Sequence, residues 1–177
     1  STTAISVASG ATYEVGADQE VGSITGSGSI SLGANQLTAG GSGADTTFGG
    51  VISGPGGLTK TGGGTLTLGG ANTYTGSTAI NNGAVVVSGS LSDATAVSVS
   101  EGTTYELGAD DTVGSIAGSG AIKLGSSTLS VGGDNSSTEF SGVVSGTGGL
   151  TKQGTGTLTL SGVNTHSGPT SVTEGTL

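Results

Sequence analysis

The chain has 177 residues, of which 39 are glycine, 8% are charged and 3% are aromatic, and its formal net charge is −9. So few large apolar side chains cannot fill one deep core, and the lack of cysteine excludes a disulfide framework. Three lysines and no arginine argue against nucleic acid and against an anionic membrane surface as partners, because both are bound through clusters of basic residues.

Short apolar alternations follow one another along the first half of the chain and predict β-strands. In Thr65–Leu68 the two leucines point to one side and the two threonines to the other, because side chains alternate along a strand. Glycine-rich turns separate these segments, and no stretch has a long helical spacing of apolar residues. The predicted strands and buried positions are residues 1–10, residues 11–16, Val21–Ile24, Ile30–Leu32, Leu37–Ala39, Phe48–Ile52, Leu58, Leu66–Leu68, Tyr74, Ile80 and Val85–Val87.

The second half of the chain repeats the first. Residues 93–177 align with residues 1–85 without a gap, 92 positions later, and 47 of the 85 aligned pairs are identical. An internal duplication at this level is the signature of a repeat architecture. We therefore divide the chain into copy one, residues 1–92, and copy two, residues 93–177, which is shorter. No change of composition marks a linker near residue 92, so we expect both copies to form one continuous solenoid.

Short strands with frequent turns are compatible with a β-sandwich or a β-solenoid, and the continuous duplication favours the solenoid. At roughly 20–25 residues per turn, each 92-residue unit would hold about four turns and the chain about eight. The predicted fold class is all-β, a parallel β-helix built from two tandem copies. The chain has no methionine, so we expect it to be a piece of a longer protein with any leader or anchor outside it.

The segment Gly56–Gly89 contains GGLTK, then GTLTL, then NTYTG, and Gly148–Leu177 contains nearly the same order. Both segments resemble the passenger-associated β-strand repeat of Gram-negative autotransporter proteins. The resemblance implies a right-handed parallel β-helix that is secreted by a type V route. It also implies display on the cell surface as a stalk or adhesin, anchored in the outer membrane through regions outside this chain. It implies no catalytic residue, because the family's repeat has none.

Few residues could support catalysis. The single histidine, His166, aligns with Tyr74, so we interpret it as a solvated or half-buried loop residue. The acid pairs Glu14/Asp18 and Glu106/Asp110 could in principle serve glycoside hydrolysis, which needs two carboxylates at a set separation. Because the pair occurs in both copies, at a turn expected to be solvated, we predict that the chain is not an enzyme.

Two further segments resemble known binding motifs. The segment Gly40–Asp45 matches the start of a calcium-binding nonapeptide, but the equivalent segment of copy two breaks the match, so we expect an ordinary glycine loop. The pairs Thr65/Thr67 and Thr157/Thr159 resemble ice-binding faces, but we expect them about four turns apart rather than on successive turns. We assign no catalytic, cofactor-binding or metal-binding residue, and we predict no cofactor.

The function predicted from the sequence is mechanical: a stalk or spacer in an extracellular adhesin or autotransporter passenger that displays a distal binding region. The alternative is a binding module that recognises glycans, or an identical rod, through its Ser/Thr/Asn face. The expected partners are the adjoining repeats of the same polypeptide. End-to-end or lateral self-association and host or surface glycans are further candidates, whereas nucleic acid and membrane contact are not expected.

Overall fold

The structure is a computed structural model that describes residues 3–177, so residues 1 and 2 of the predicted first strand lie outside the described residues. The described chain is all-β, and all of its strand pairs are parallel. Across residues 3–177 the backbone forms no helix, and accordingly none that could span a membrane. The predicted β-solenoid of about eight turns is confirmed.

Strands that follow one another in the chain lie in rotation on three faces of the solenoid, except at three places where one face has no regular strand. Face one carries β1 (Ala4–Val7), β4 (Ser23–Gly26), β7 (Thr46–Phe48), β10 (Thr65–Leu68), β12 (Ala84–Val87), β14 (Thr104–Leu107), β17 (Ala121–Lys123) and β20 (Val143–Ser145). Face two carries β2 (Thr12–Glu14), β5 (Ser29–Ser31), β8 (Val51–Ser53), β15 (Asp111–Val113), β18 (Leu129–Val131), β21 (Leu150–Lys152) and β23 (Thr170–Val172). Face three carries β3 (Gln19–Val21), β6 (Gln36–Ala39), β9 (Gly57–Lys60), β11 (Thr78–Ile80), β13 (Ala96–Val99), β16 (Ser115–Gly118), β19 (Thr138–Phe140) and β22 (Leu158–Leu160).

Face two has an irregular middle. Between β8 and β15 it consists of residues 71–73 and 90–91, which form a single parallel bridge, Ala71 with Ser90. Main-chain hydrogen bonds keep the stacking continuous here, since Thr73 N–H donates to the Ile52 carbonyl at 2.9 Å and Asn72 N–H to the Ser90 carbonyl at 2.9 Å. The turns therefore continue through this region without a regular strand on face two.

Strand pairing also runs across residue 92. On face one β12 pairs with β14, and on face three β11 pairs with β13. These ladders join strands on either side of the position where one copy ends and the next begins.

The 92-residue repeat is not a whole number of turns. Turns are shorter than the upper end of the predicted range: Tyr105 pairs with Ile122, 17 residues later, and Ile122 with Val144, 22 residues later. The copy-two equivalent of β1 is β13, which lies fourteen strand positions further along the chain when the two irregular segments are counted. At three positions per turn, this offset is four and two-thirds turns. The expected four turns per unit is therefore too few, and equivalent strands lie on different faces: β1 on face one and β13 on face three.

The core is a narrow column of stacked aliphatic and aromatic side chains. On face one the inward residues Leu66, Val85, Tyr105, Ile122 and Val144 lie in one register row on five successive turns, and all are buried. Each turn thus covers the apolar side chains of the turn below, which is how a solenoid stabilises itself through neighbouring repeats.

The two leucines of Thr65–Leu68 and their copy-two equivalents, Leu158 and Leu160, differ in burial. Leu66, Leu68 and Leu158 are buried, whereas Leu160 is half-buried and packs against the edge of the core. The difference follows from stacking, because Leu68 is paired with Phe48 below and Val87 above, while the pairing described for Leu160 is with Phe140 below.

Two glycines are required where a core phenylalanine pairs with the turn below it. Phe48 stacks on Gly26, whose φ is +106°, and a Cβ at Gly26 would lie 2.1 Å from the Val7 carbonyl oxygen. The equivalent pair in copy two is Phe140 on Gly118, with a φ of +111° and the same 2.1 Å approach to the Val99 carbonyl. A larger residue at either glycine would be strained and would separate two turns.

Candidate functional site

The aspartates of the two predicted acid pairs lie at corners of the solenoid, outside the strands. Asp18 Oδ1 accepts a hydrogen bond from Gln36 N–H at 2.8 Å, and Asp110 Oδ1 accepts one from Thr128 N–H at 2.7 Å. Each aspartate therefore fixes the backbone of the following turn. The two pairs also lie on different faces, because Glu14 is in β2 of face two and Glu106 in β14 of face one.

The same use of side-chain oxygens recurs at other corners. Asn72 Oδ1 accepts from Ile52 N–H at 3.0 Å, and its copy-two equivalent Asn164 accepts from Val144 N–H at 2.9 Å. The amide groups donate to main-chain carbonyls, Asn72 Nδ2 to Gly70 at 2.9 Å and Asn164 Nδ2 to Gly162 at 3.2 Å. The asparagine of the NTYTG and NTHSG motifs thus replaces strand pairing between turns where the strand is irregular. The recurrence of this asparagine in both copies is visible in the sequence, but its role in connecting the turns is not.

Asp45, the calcium candidate, belongs to this group of corner residues. Its Oδ1 accepts from Thr65 N–H at 2.7 Å, and Ser137, its equivalent in copy two, accepts from Thr157 N–H at 3.0 Å through Oγ. Within residues 3–177 no cluster of three or more histidine, cysteine or acidic side chains has a geometry that could hold a metal ion.

His166 is half-buried, as predicted. It makes the same kind of contact in copy two that Tyr74 makes in copy one. His166 Nε2 lies 2.8 Å from Thr170 Oγ1, and Tyr74 OH lies 2.5 Å from the equivalent Thr78 Oγ1. His166 Nδ1 is shielded from solvent without a hydrogen-bond partner among the described residues. The ring at this position therefore packs beside a threonine hydroxyl in both copies.

The candidate ice-binding pairs do not share a face. Thr65 and Thr67 lie in β10 of face one, and Thr157 and Thr159 lie at β22 of face three. Equivalent threonine pairs are therefore separated along the solenoid axis and are also rotated about it.

A buried carboxyl group lies where the two copies meet. Asp111 is 5% exposed; its Oδ2 accepts from Tyr105 OH at 3.0 Å, and its Oδ1 accepts from Leu91 N–H at 3.0 Å. Burial raises the pKa of Asp111 to about 6, against the opposing effect of these hydrogen bonds. Burial, and next the charge of Asp111, raise the pKa of Tyr105 well above its ordinary value. In copy one the equivalent contact is neutral, since Tyr13 OH donates to Gln19 Oε1 at 2.5 Å.

An open cleft of about 420 Å³ adjoins Asp111 on face two. Its lining is polar and acidic, and the residues that correspond to Asp110, Asp111 and Thr112 in copy one are Asp18, Gln19 and Glu20. The set of side chains is therefore particular to this junction. The residues that line it are Ser90, Leu91, Asp93, Asp110, Asp111, Thr112, Thr128 and Ser130.

The outer surface is acidic and lacks large rings. Lys60 and Lys152 are each 1% exposed, and Lys123 is the exposed lysine. The chain has twelve acidic residues, so the charge of the surface is mainly negative. Four of the five aromatic residues are buried, and the fifth, Tyr13, is half-buried against the core. The outward positions are mainly small polar residues; on face one Ser6, Thr25, Thr47 and Thr67 form one register row.

Comparisons with known proteins find similarities in both halves of the chain. The family model of the passenger-associated transport repeat matches residues 58–87 and 150–177. The chain is 40% identical over 85 residues to the adhesin BmaC autotransporter of Brucella suis biovar 1 (strain 1330). That region is 47% of this chain and 2% of the relative, so the chain spans a very small part of that protein's length. No solved structure matches the chain significantly. The resemblance seen in the sequence is confirmed, because the family model matches once in each of the two copies.

Proposed function

We propose that the chain is a stalk segment in the passenger of an autotransporter adhesin, exposed on the cell surface and anchored to the outer membrane through other parts of the polypeptide. The observation that carries the proposal is the unbroken stacking of parallel turns on faces one and three, from β1 and β3 to β20 and β22. At about 4.8 Å per turn, eight turns make a rod about 40 Å long. Such a rod can be lengthened by adding units without a change of fold.

The surface supports a spacer rather than an enzyme. The candidate carboxylates Asp18, Asp45 and Asp110 are engaged in hydrogen bonds that hold the next turn. The aromatic rings on which sugars commonly stack are turned into or against the core. The two family matches and the similarity to an adhesin autotransporter support the same role.

The alternative is a binding module that works through its hydroxyl-rich outer rows. The row Ser6, Thr25, Thr47 and Thr67 favours it, because aligned hydroxyls could hydrogen-bond a glycan or a second rod. Self-association of such acidic rods would increase with salt, which screens their repulsion.

An experiment that replaces this segment within the full passenger distinguishes the stalk from the binding module. We would replace residues 1–177 with an unrelated β-solenoid of the same number of turns and measure adhesion of cells that display equal amounts of passenger. A stalk predicts retained adhesion, and the purified segment should not compete. Loss of adhesion at equal display, together with competition by the purified segment, would overturn the stalk and favour the binding module. Sedimentation of the purified segment across a salt series tests self-association directly.

A further inference from the structure

The lysines of the two GGLTK motifs occupy positions that the strand pattern assigns to apolar residues. Lys60 is the last residue of β9, and its register neighbours are Ala39 on the turn below and Ile80 on the turn above. Lys152 ends β21 between Val131 and Val172. Both side chains are 1% exposed, so their aliphatic stems lie within the column of core residues.

Each ammonium group is held by three main-chain carbonyl oxygens. Lys60 Nζ donates to Thr61 at 2.6 Å, to Gly62 at 2.8 Å and to Asn82 at 3.3 Å. A lysine ammonium has three N–H groups, so the three carbonyls satisfy all of them. Burial lowers the pKa of Lys60, and the charge of Asp45 partly opposes this effect.

Copy two reproduces the arrangement. Lys152 Nζ donates to Gln153 at 2.7 Å, to Gly154 at 2.8 Å and to Glu174 at 3.4 Å. In both copies two carbonyls come from the corner that follows the lysine and the third comes from the next turn, 22 residues later. The arrangement recurs although Lys60 lies on face three and Lys152 on face two.

Glycine makes room for the ammonium. A Cβ at Gly40 would lie 3.1 Å from Lys60 Nζ, and a Cβ at Gly175 would lie 2.8 Å from Lys152 Nζ. Gly62 and Gly154, which supply carbonyls, have φ angles of +69° and +68°, a conformation that side chains disfavour. The backbone around each lysine is therefore shaped to direct carbonyl oxygens at one point.

We infer that each GGLTK motif forms a cation site made of backbone carbonyls, in which the lysine's own ammonium is the resident cation and clamps two successive turns together. The site would accept a primary ammonium, since three N–H donors match three acceptors. Once the side chain is removed, it should accept a free alkylammonium of the same length. This inference goes beyond the stalk role and does not depend on it.

The test uses the whole chain and the variant Lys60→Ala. Alanine keeps Cβ, so propylammonium replaces the missing Cγ, Cδ, Cε and Nζ atoms. We expect Lys60→Ala to lower the Tm by at least about 5 °C, because three carbonyls lose their donor and the apolar packing of the lysine stem is lost. Propylammonium should restore part of this loss in the variant and leave the wild type unchanged. Tetramethylammonium, which has no N–H group, controls for ionic strength, and Lys123→Ala controls for loss of an exposed lysine.

A second measurement holds even if the variant fails to fold. In the wild-type chain, nitrogen-15 NMR should show slowly exchanging ammonium protons for Lys60 and Lys152, but not for exposed Lys123. Equal exchange at all three lysines would overturn the inference, as would a Lys60→Ala variant as stable as the wild type. Equal rescue by propylammonium and tetramethylammonium would also contradict it, because the effect would then not need N–H donors.

Discussion

Asp111 shows how the fold treats a single ionisable group. The charged form is disfavoured by burial, although Leu91 N–H and Tyr105 OH both donate to the carboxylate. The folded pKa of about 6 lies above the ordinary value of 3.8, so the folded chain binds an additional proton between these pH values. The contribution of this group to stability is therefore present near pH 4 and is lost as the pH rises through 6.

This linkage predicts the behaviour of Asp111→Asn. Asparagine stays neutral, so the variant should match the wild type near pH 4 and exceed its stability at pH 7 by about 1 to 2 kcal/mol, after allowance for solvent screening at the adjoining cleft. Denaturant unfolding at the two pH values measures this difference. A variant with the same pH profile as the wild type would show that Asp111 does not carry the effect.

The alternation of residues in β22 predicts a contrast between neighbours. Leu158 is 1% exposed and Thr159 is exposed. Leu158→Asp should therefore lower the free energy of unfolding by several kcal/mol, roughly the 3–5 kcal/mol of an uncompensated buried charge. Thr159→Asp should change it by less than about 0.5 kcal/mol. Thermal melts of the two variants measure the contrast, and equal destabilisation would mean that the inward side of β22 is assigned wrongly.

At the residue scale, apolar burial could be predicted and polar burial could not. Leu66, with threonine on both sides, identifies its own face because the period of a strand is two. Lys60 gives no such signal, because a lysine at an inward position normally indicates a solvated side. Its burial depends on carbonyls of Gly62 and Asn82 that converge only after the turns have stacked.

At the scale of elements, the corners hold the turns in register as much as the strands do. Asn72 supplies the acceptor for Ile52 N–H on the turn below and donates through Nδ2 to the Ser90 carbonyl on the turn above, at a level where face two has no regular strand. The side chain is 2% exposed, so solvent does not replace these bonds. The asparagine therefore substitutes for a strand in connecting three turns.

Asn72→Ala is expected to leave Ile52 N–H without its partner and to lower the free energy of unfolding by about 1 to 3 kcal/mol. The loss should be local, because each turn of a solenoid contacts its neighbours alone. Hydrogen exchange of the Ile52 amide should accelerate in this variant. Asn81→Ala, a substitution at an exposed asparagine, serves as the control and should leave that amide protected. An unchanged Ile52 amide in Asn72→Ala would contradict the role of the side chain.

Strand existence could be predicted at this scale, but the faces could not. The apolar alternation and the internal duplication predicted the solenoid and its approximate number of turns. A strand can be assigned to a face only if every preceding position on the solenoid has been recognised. Residues 71–73 and 90–91 have no apolar alternation, so the sequence does not reveal that they occupy positions on face two. The unit of four and two-thirds turns follows from those two segments.

For the whole molecule, the fractional repeat rotates each copy by a third of a turn relative to the one before it. The exposed valines Val51 and Val143 are equivalent in sequence, but Val51 lies on face two and Val143 on face one. If further copies stack in the same way, a surface feature returns to its face after three copies and fourteen turns, about 67 Å along the axis. A rod of such units would therefore distribute equivalent surface residues over all three faces and would not align them on one face.

The central claim, one continuous solenoid with rotated copies, is tested most directly by distances between spin labels. Two doubly labelled chains are compared, Val51→Cys with Val143→Cys and Thr47→Cys with Val143→Cys; all three positions are exposed. Thr47 and Val143 lie on strands of face one five turns apart, about 24 Å along the axis. Val51 and Val143 are axially closer, about 22 Å, but lie on different faces. The account predicts two narrow distributions, with the longer distance for Val51 and Val143. A shorter distance for that pair, or a broad distribution typical of two separately tumbling units, would contradict it.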